Sequence, residues 1–133
     1  MKVVYLGDIM GRSGRKIVAE KLPEIKERLK PDFIVVNGEN AAAGFGITSK
    51  IVKELFEMGV DVISTGNHVW DQKETKTYIN TEKRLIRPIN FPAGTSGKGS
   101  IVVEDTRGRR MLVVNAMGRV FMDALDDPFK AVD

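Results

Sequence analysis

Three short apolar runs, Val3–Leu6, Phe33–Val36 and Val60–Ser64, each meet a glycine within two residues of their end. Runs this short, rich in β-branched and aromatic residues and closed by turn signals, read as buried strands. Between the first two, Val18, Leu22, Ile25 and Leu29 follow at steps of four, three and four, one apolar stripe on a helix with charged outer faces. Pro23 lies inside that stripe and predicts a kink, or a second helix with the proline in its first turn. Between the second and third runs, Thr48 can cap a helix whose Ile51, Val52, Leu55 and Phe56 face inward, and Gly59 supplies its stop. Strand, helix, strand, helix, strand is the pattern of an α/β chain with a parallel sheet.

The repeat also has a register. Asp8, Glu39 and Asn67 stand just past the three strand ends, 31 and 28 residues apart. Parallel strands joined by right-handed crossovers end on the same edge of their sheet, and ligands of open α/β sheets bind outside that edge. Two carboxylates (Asp8, Glu39), two amides (Asn40, Asn67) and the single histidine, His68, are therefore expected in one crevice. Oxygen-rich sets of this kind suit Mg, Mn or Fe, and an imidazole extends the range to Zn. The structural alternative is that Asp8 and Glu39 cap helices and His68 is merely hydrogen-bonded in a turn. The segment Gly7–Arg15 carries three glycines and two arginines but matches neither the dinucleotide fingerprint nor a P-loop.

Past the third run, Asp71 with Glu74 reads as a capping box for a helix near Gln72–Ile79. Arg87–Pro92 reads as a rigid extended loop, its Arg87 either a surface residue or a phosphate contact. Ile101–Glu104 and Met111–Asn115 flank a turn-rich segment and predict a hairpin that starts a second sheet or extends the first. The final residues give a cap, Pro128 in a first turn, and about one turn of helix. A single turn has little stability alone, so the expectation is one α/β domain over residues 1–133 that is cut from a larger protein.

Composition narrows the functions. Lys and Arg number 21 against 18 Asp and Glu, a net charge of +3. That suits an anionic small molecule and is too small to argue for nucleic acid. There is no cysteine, which excludes disulfides and thiolate metal sites and fits a cytoplasmic location. No apolar run approaches the roughly 18 residues of a membrane helix, and Val3–Leu6 is too short for a signal-peptide core.

With Gly7-Asp8-Ile9-Met10-Gly11, Asn37-Gly38-Glu39-Asn40 and Gly66-Asn67-His68 in place, the chain resembles the YmdB-type metallophosphoesterases of the calcineurin-like superfamily. The match extends to Gly118–Met122 and Asp126–Phe129. Met10 stands where the wider superfamily has a histidine, and Glu39 where it has a bridging aspartate; both departures belong to the YmdB type. The resemblance implies the N-terminal half of a sandwich of two β-sheets flanked by helices. It implies two divalent metals, Fe or Mn before Mg or Zn, with Asp8, Glu39 and Asn40 on one, and Glu39 bridging to a second held by Asn67. It further implies hydrolysis of a phosphodiester or cyclic nucleotide, 2',3' or 3',5', by metal-activated hydroxide, with His68 as proton donor. Three more histidines complete the family's metal sites and would lie beyond Asp133, so a homo-oligomer or a complementary C-terminal half is an expected partner. The rival readings are a non-catalytic nucleotide- or phosphate-binding module and a scaffolding half-domain.

Overall fold

The computed structural model describes all 133 residues. Its main sheet has four parallel strands, β1 (Val3–Leu6), β2 (Phe33–Asn37), β3 (Val62–Ser64) and β4 (Leu85–Ile86), in the order β1-β2-β3-β4. Between them lie α1 (Gly11–Leu29), α2 (Ser49–Glu57), a 3-10 turn (Asn67–Trp70) and α3 (Thr75–Tyr78). Sequential order with right-handed crossovers puts every connecting helix on one face of the sheet. The alternation of strand residues shows the consequence. Ile34, Val36, Ile63 and Leu85 join Leu22 of α1 and Ile51, Val52 and Leu55 of α2 in one core. Val35, Val62 and Ile86 face the other way.

That second face is covered by a hairpin. Strands β5 (Ser100–Glu104) and β6 (Arg110–Val114) pair antiparallel as a separate two-stranded sheet. Ile101, Val103, Met111 and Val113 pack on Val35, Val62 and Ile86. The hairpin thus starts a second sheet, one of the two outcomes left open by the sequence. The chain ends in α4 (Pro128–Val132), with Asp127 accepting from the Phe129 N–H at 2.9 Å. No helix is long and apolar enough to cross a membrane.

Several local expectations change. α1 runs through Pro23 as one helix and begins at Gly11, so Arg12 and Arg15 are helical rather than loop residues. The proline ring is tolerated on an exposed face. The helix expected over Gln72–Ile79 forms only at Thr75–Tyr78. Its capping box is not made, because both carboxylates have better partners. Glu74 accepts from the Ser49 N–H at the start of α2 (2.6 Å), and Asp71 turns to His68 (2.6 Å). The loop expected around Arg87 is preceded by β4, whose two residues are buried, Leu85 in the main core and Ile86 under the hairpin. The Arg87 guanidinium donates to the carbonyls of Pro88, Ile89, Thr95 and Ser96. It ties the glycine-rich link to the end of the sheet.

Candidate functional site

The loops that follow β1, β2 and β3 are stitched together by backbone bonds before any side chain takes part. Ile9 N–H donates to Asn37 O at 3.0 Å, Gly11 N–H to Asn40 O at 2.9 Å, and Gly38 N–H to Ser64 O at 2.9 Å. Arg15 reaches from α1 to the Ala41 carbonyl. Buried Ile9 anchors the first loop and Val69 the third. The register seen in the sequence therefore becomes a real neighbourhood at the C-terminal edge of the sheet.

Asp8 accepts from the Asn40 amide Nδ2 through both carboxylate oxygens, each at 3.0 Å. Asn40 itself is buried and Asp8 is exposed, so the amide positions the carboxylate from beneath. Glu39 lies against the next loop. Its Oε2 sits 1.3 Å from where a Cβ on Gly66 would be. Only a residue with no side chain leaves room for that carboxylate. Burial pushes the Glu39 carboxyl up from its usual range, the charge of Asp8 adds to the rise, and His68 opposes it. Neither Asp8 nor Glu39 is in an ion pair with Lys or Arg.

Asn67 opens the 3-10 turn with an exposed side chain. His68 is half exposed, and its Nδ1 meets Asp71 Oδ2 at 2.6 Å. The 3-10 geometry makes this pair, since residues i and i+3 eclipse on such a turn. With Nδ1 engaged by a carboxylate, Nε2 is the nitrogen left to exchange a proton. The strand end behind them is fixed from the second sheet: Asn115 Nδ2 donates to the Thr65 carbonyl at 2.8 Å, and Thr65 Oγ1 donates to Ile86 O at 3.0 Å.

All five residues expected at the site reach this edge. Asp8, Glu39 and Asn40 are directly linked to one another or to the loop of Gly66, and Asn67 and His68 stand on that loop. No group of three or more His, Cys, Asp or Glu side chains converges closely enough anywhere in the chain to hold a metal by those residues alone. The edge offers two carboxylates with amides rather than a nitrogen-rich set. The sequence reading missed Asp71, taken as a cap, and Asn115. The i+3 spacing from His68 could have marked Asp71, but nothing in the sequence connects Asn115 to Thr65.

A family model described as YmdB-like protein matches residues 4–133. The chain belongs to the YmdB-like family. Among family relatives, a 2',3'-cyclic-nucleotide 2'-phosphodiesterase of Bacillus subtilis (strain 168) is 45% identical over 133 residues, covering 100% of this chain and 50% of its own. A crystal structure of a hypothetical protein from Thermus thermophilus superposes with a TM-score of 0.90 at 44% identity, covering 99% of this chain and 51% of that one. A novel phosphatase of Mycoplasma pneumoniae gives a TM-score of 0.90 at 32% identity over 99% of this chain and 49% of its own. The chain thus spans about half the length of the curated relatives it matches. The two-sheet α/β architecture expected from the resemblance is that of these family structures.

Proposed function

We propose that this chain carries the metal-binding and proton-donating half of a metal-dependent phosphodiesterase acting on a small phosphodiester of the cyclic-nucleotide class. One observation carries the reading: Asp8, held by Asn40, and Glu39, seated against Gly66, meet at one sheet edge with no Lys or Arg paired to either, beside a histidine backed by a carboxylate; burial, and then the Asp8 charge, raise the Glu39 carboxyl. Two carboxylates kept together without a counter-charge fit added divalent cations. The donors suit hard ions: Asp8 and Glu39 through carboxylate oxygens, Asn40 and Asn67 through amide oxygens, with Glu39 central between the loops. Divalent ions held there would supply a nucleophile at neutral pH and offset charge on the phosphoryl oxygens.

The chain's own groups then act on the ligand. His68 protonates the leaving oxygen from Nε2, and Asp71 holds the ring in place through Nδ1. Asn40 keeps Asp8 in place, and Gly66 leaves the space in which Glu39 sits. The Bacillus subtilis relative named for 2',3'-cyclic nucleotides supports that substrate class.

We also place residues 1–133 in one domain that works with a complementary segment. β1 is a sheet edge with Val3 and Tyr5 exposed, and a cleft of about 460 Å³ opens between it and β6. The relatives are about twice as long, and a second half or a second copy on that edge would complete both the sheet and the ligand set. The test is Glu39→Gln, which keeps shape and removes charge. Hydrolysis of a 2',3'-cyclic nucleotide with added manganese, by the chain with its complementary segment, should be lost together with bound metal while the fold is kept. Unchanged turnover and metal content would refute the reading, and metal-independent nucleotide binding would favour the non-catalytic module.

A further inference from the structure

Phe45 is the one large apolar side chain that stands exposed against the candidate proton donor. It is 61% exposed, and its ring lies edge-to-face with His68, centroids 6.1 Å apart at 85°. A single exposed apolar residue needs no explanation by itself. What distinguishes this one is the backbone beneath it. Residues 41–46 form a tight loop: Ala42 N–H donates to Gly46 O at 2.8 Å, Gly44 N–H to Asn40 O at 2.9 Å, and Phe45 N–H to Ala42 O at 3.0 Å. Gln72 Nε2 donates to the Phe45 carbonyl at 2.6 Å. Gly46, at φ +74°, sits so close to the turn of His68 that a Cβ there would come within 2.8 Å of the His68 carbonyl. The backbone that carries the ring is thus clamped to the turn of His68 and to the loop of Glu39 and Asn40.

Met10 extends the apolar lip. It is 52% exposed, and its sulfur rests against Gly44, 3.5 Å from where a Cβ would be. One side of the site is therefore polar and acidic, and the adjoining side presents an open aromatic ring with a thioether. With divalent cations on the carboxylates, a ligand that satisfies both sides carries an anionic group and a flat apolar one. We propose that Phe45 is the stacking platform for the nucleobase of the phosphodiester. This rests on the phosphodiesterase reading above and adds a residue and a selectivity to it. Every base offers a π-face, so stacking on Phe45 selects nucleotides over base-free sugar phosphates without choosing among bases. Because the loop is already fixed, little conformational freedom is lost when a base lands.

The test uses ring-labelled phenylalanine in the chain and solution NMR in magnesium buffer, with Phe45 assigned by its loss in Phe45→Ala. Adenosine and uridine 2',3'-cyclic phosphates should both shift the Phe45 ring signals, and ribose 5-phosphate should not. Phe45→Ala should weaken nucleotide binding about tenfold, leave ribose 5-phosphate unaffected, and be rescued by Phe45→Tyr. The melting temperature of the alanine variant should match the wild type, since the ring is exposed. No shift at millimolar nucleotide, or equal weakening toward both ligands, overturns the proposal. So does a melting temperature lowered as for a buried phenylalanine, which would mean that protein covers the ring. Phe45 shifts with no hydrolysis by the chain together with its complementary segment would leave base stacking standing and remove the phosphodiesterase reading. Hydrolysis without Phe45 shifts would do the reverse.

Discussion

Replacing Gly66 by alanine tests the site through a single methyl group. The added Cβ would sit 1.3 Å from Glu39 Oε2 and 2.5 Å from its Cδ, whereas Cβ contacts under 3.0 Å are essentially never seen. The carboxylate must therefore retreat by at least about 1.7 Å, the difference between 3.0 and 1.3 Å. The obstacle is the end of a flexible side chain, so the backbone need not move. Stability should stay within about 1 kcal/mol, helped by the lower entropy of the unfolded alanine chain. Function should not survive as well, because a misplacement of about 1 Å at a reacting centre can cost 10²-fold. We expect kcat/KM toward a 2',3'-cyclic nucleotide to fall at least about 10²-fold, with manganese affinity falling in parallel by titration calorimetry. Glu39→Gln and Gly66→Ala act through the same carboxylate, so the double variant should lose little more than either alone. Normal manganese affinity and turnover in a folded Gly66→Ala protein would show that the Glu39 position is immaterial. Full additivity with Glu39→Gln would show that Gly66 acts elsewhere.

His68→Ala should lower turnover by about 10²–10⁴-fold while metal content holds, with a smaller defect for nitrophenyl esters whose leaving group needs little protonation; loss of metal instead would make His68 a ligand. Asp71→Asn should act in the same direction with KM little changed, since Asp71 reaches the reaction only through His68 Nδ1. Away from the site, Arg109 bridges Asp32 and Asp105 and ties the hairpin to the start of β2. The Lys2 N–H, then the Arg109 guanidinium, hold the Asp32 carboxyl below the usual range; for Asp105, burial opposes the drop but bonds from Arg109 and Arg107 outweigh it. Carboxyls lowered in the folded state contribute stability above their unfolded value of about 3.9 and lose it as pH falls through the folded value. Arg109→Ala should therefore lower the melting temperature at pH 5–7, and the gap to wild type should narrow below about pH 4; a gap independent of pH would refute the ionic account.

The sequence by itself determined the strand–helix alternation and, with it, which edge of the sheet holds Asp8, Glu39, Asn40, Asn67 and His68. Parallel strands joined by crossover helices end on one C-terminal edge whatever their order in the sheet, and the order β1-β2-β3-β4 came only with the tertiary structure. It also determined the helix stripe of α1 and the hairpin, both written in local periodicity and turn residues. Tertiary contacts decided the rest. Pro23 does not break α1, because tertiary packing of Leu22 and its neighbours holds the helix and the proline stays on the outer face. Asp71 is not a cap, because a 3-10 turn brings it under His68, and whether a turn tightens to that geometry depends on what buried Val69 packs into. Arg87 is spent on four carbonyls that belong to segments up to nine residues away. Gly66 reads as a turn residue, yet its place is set by a carboxylate from a different strand end, 27 residues earlier. Local sequence states what a segment can do alone; which neighbour takes up its polar groups is fixed only when distant segments meet.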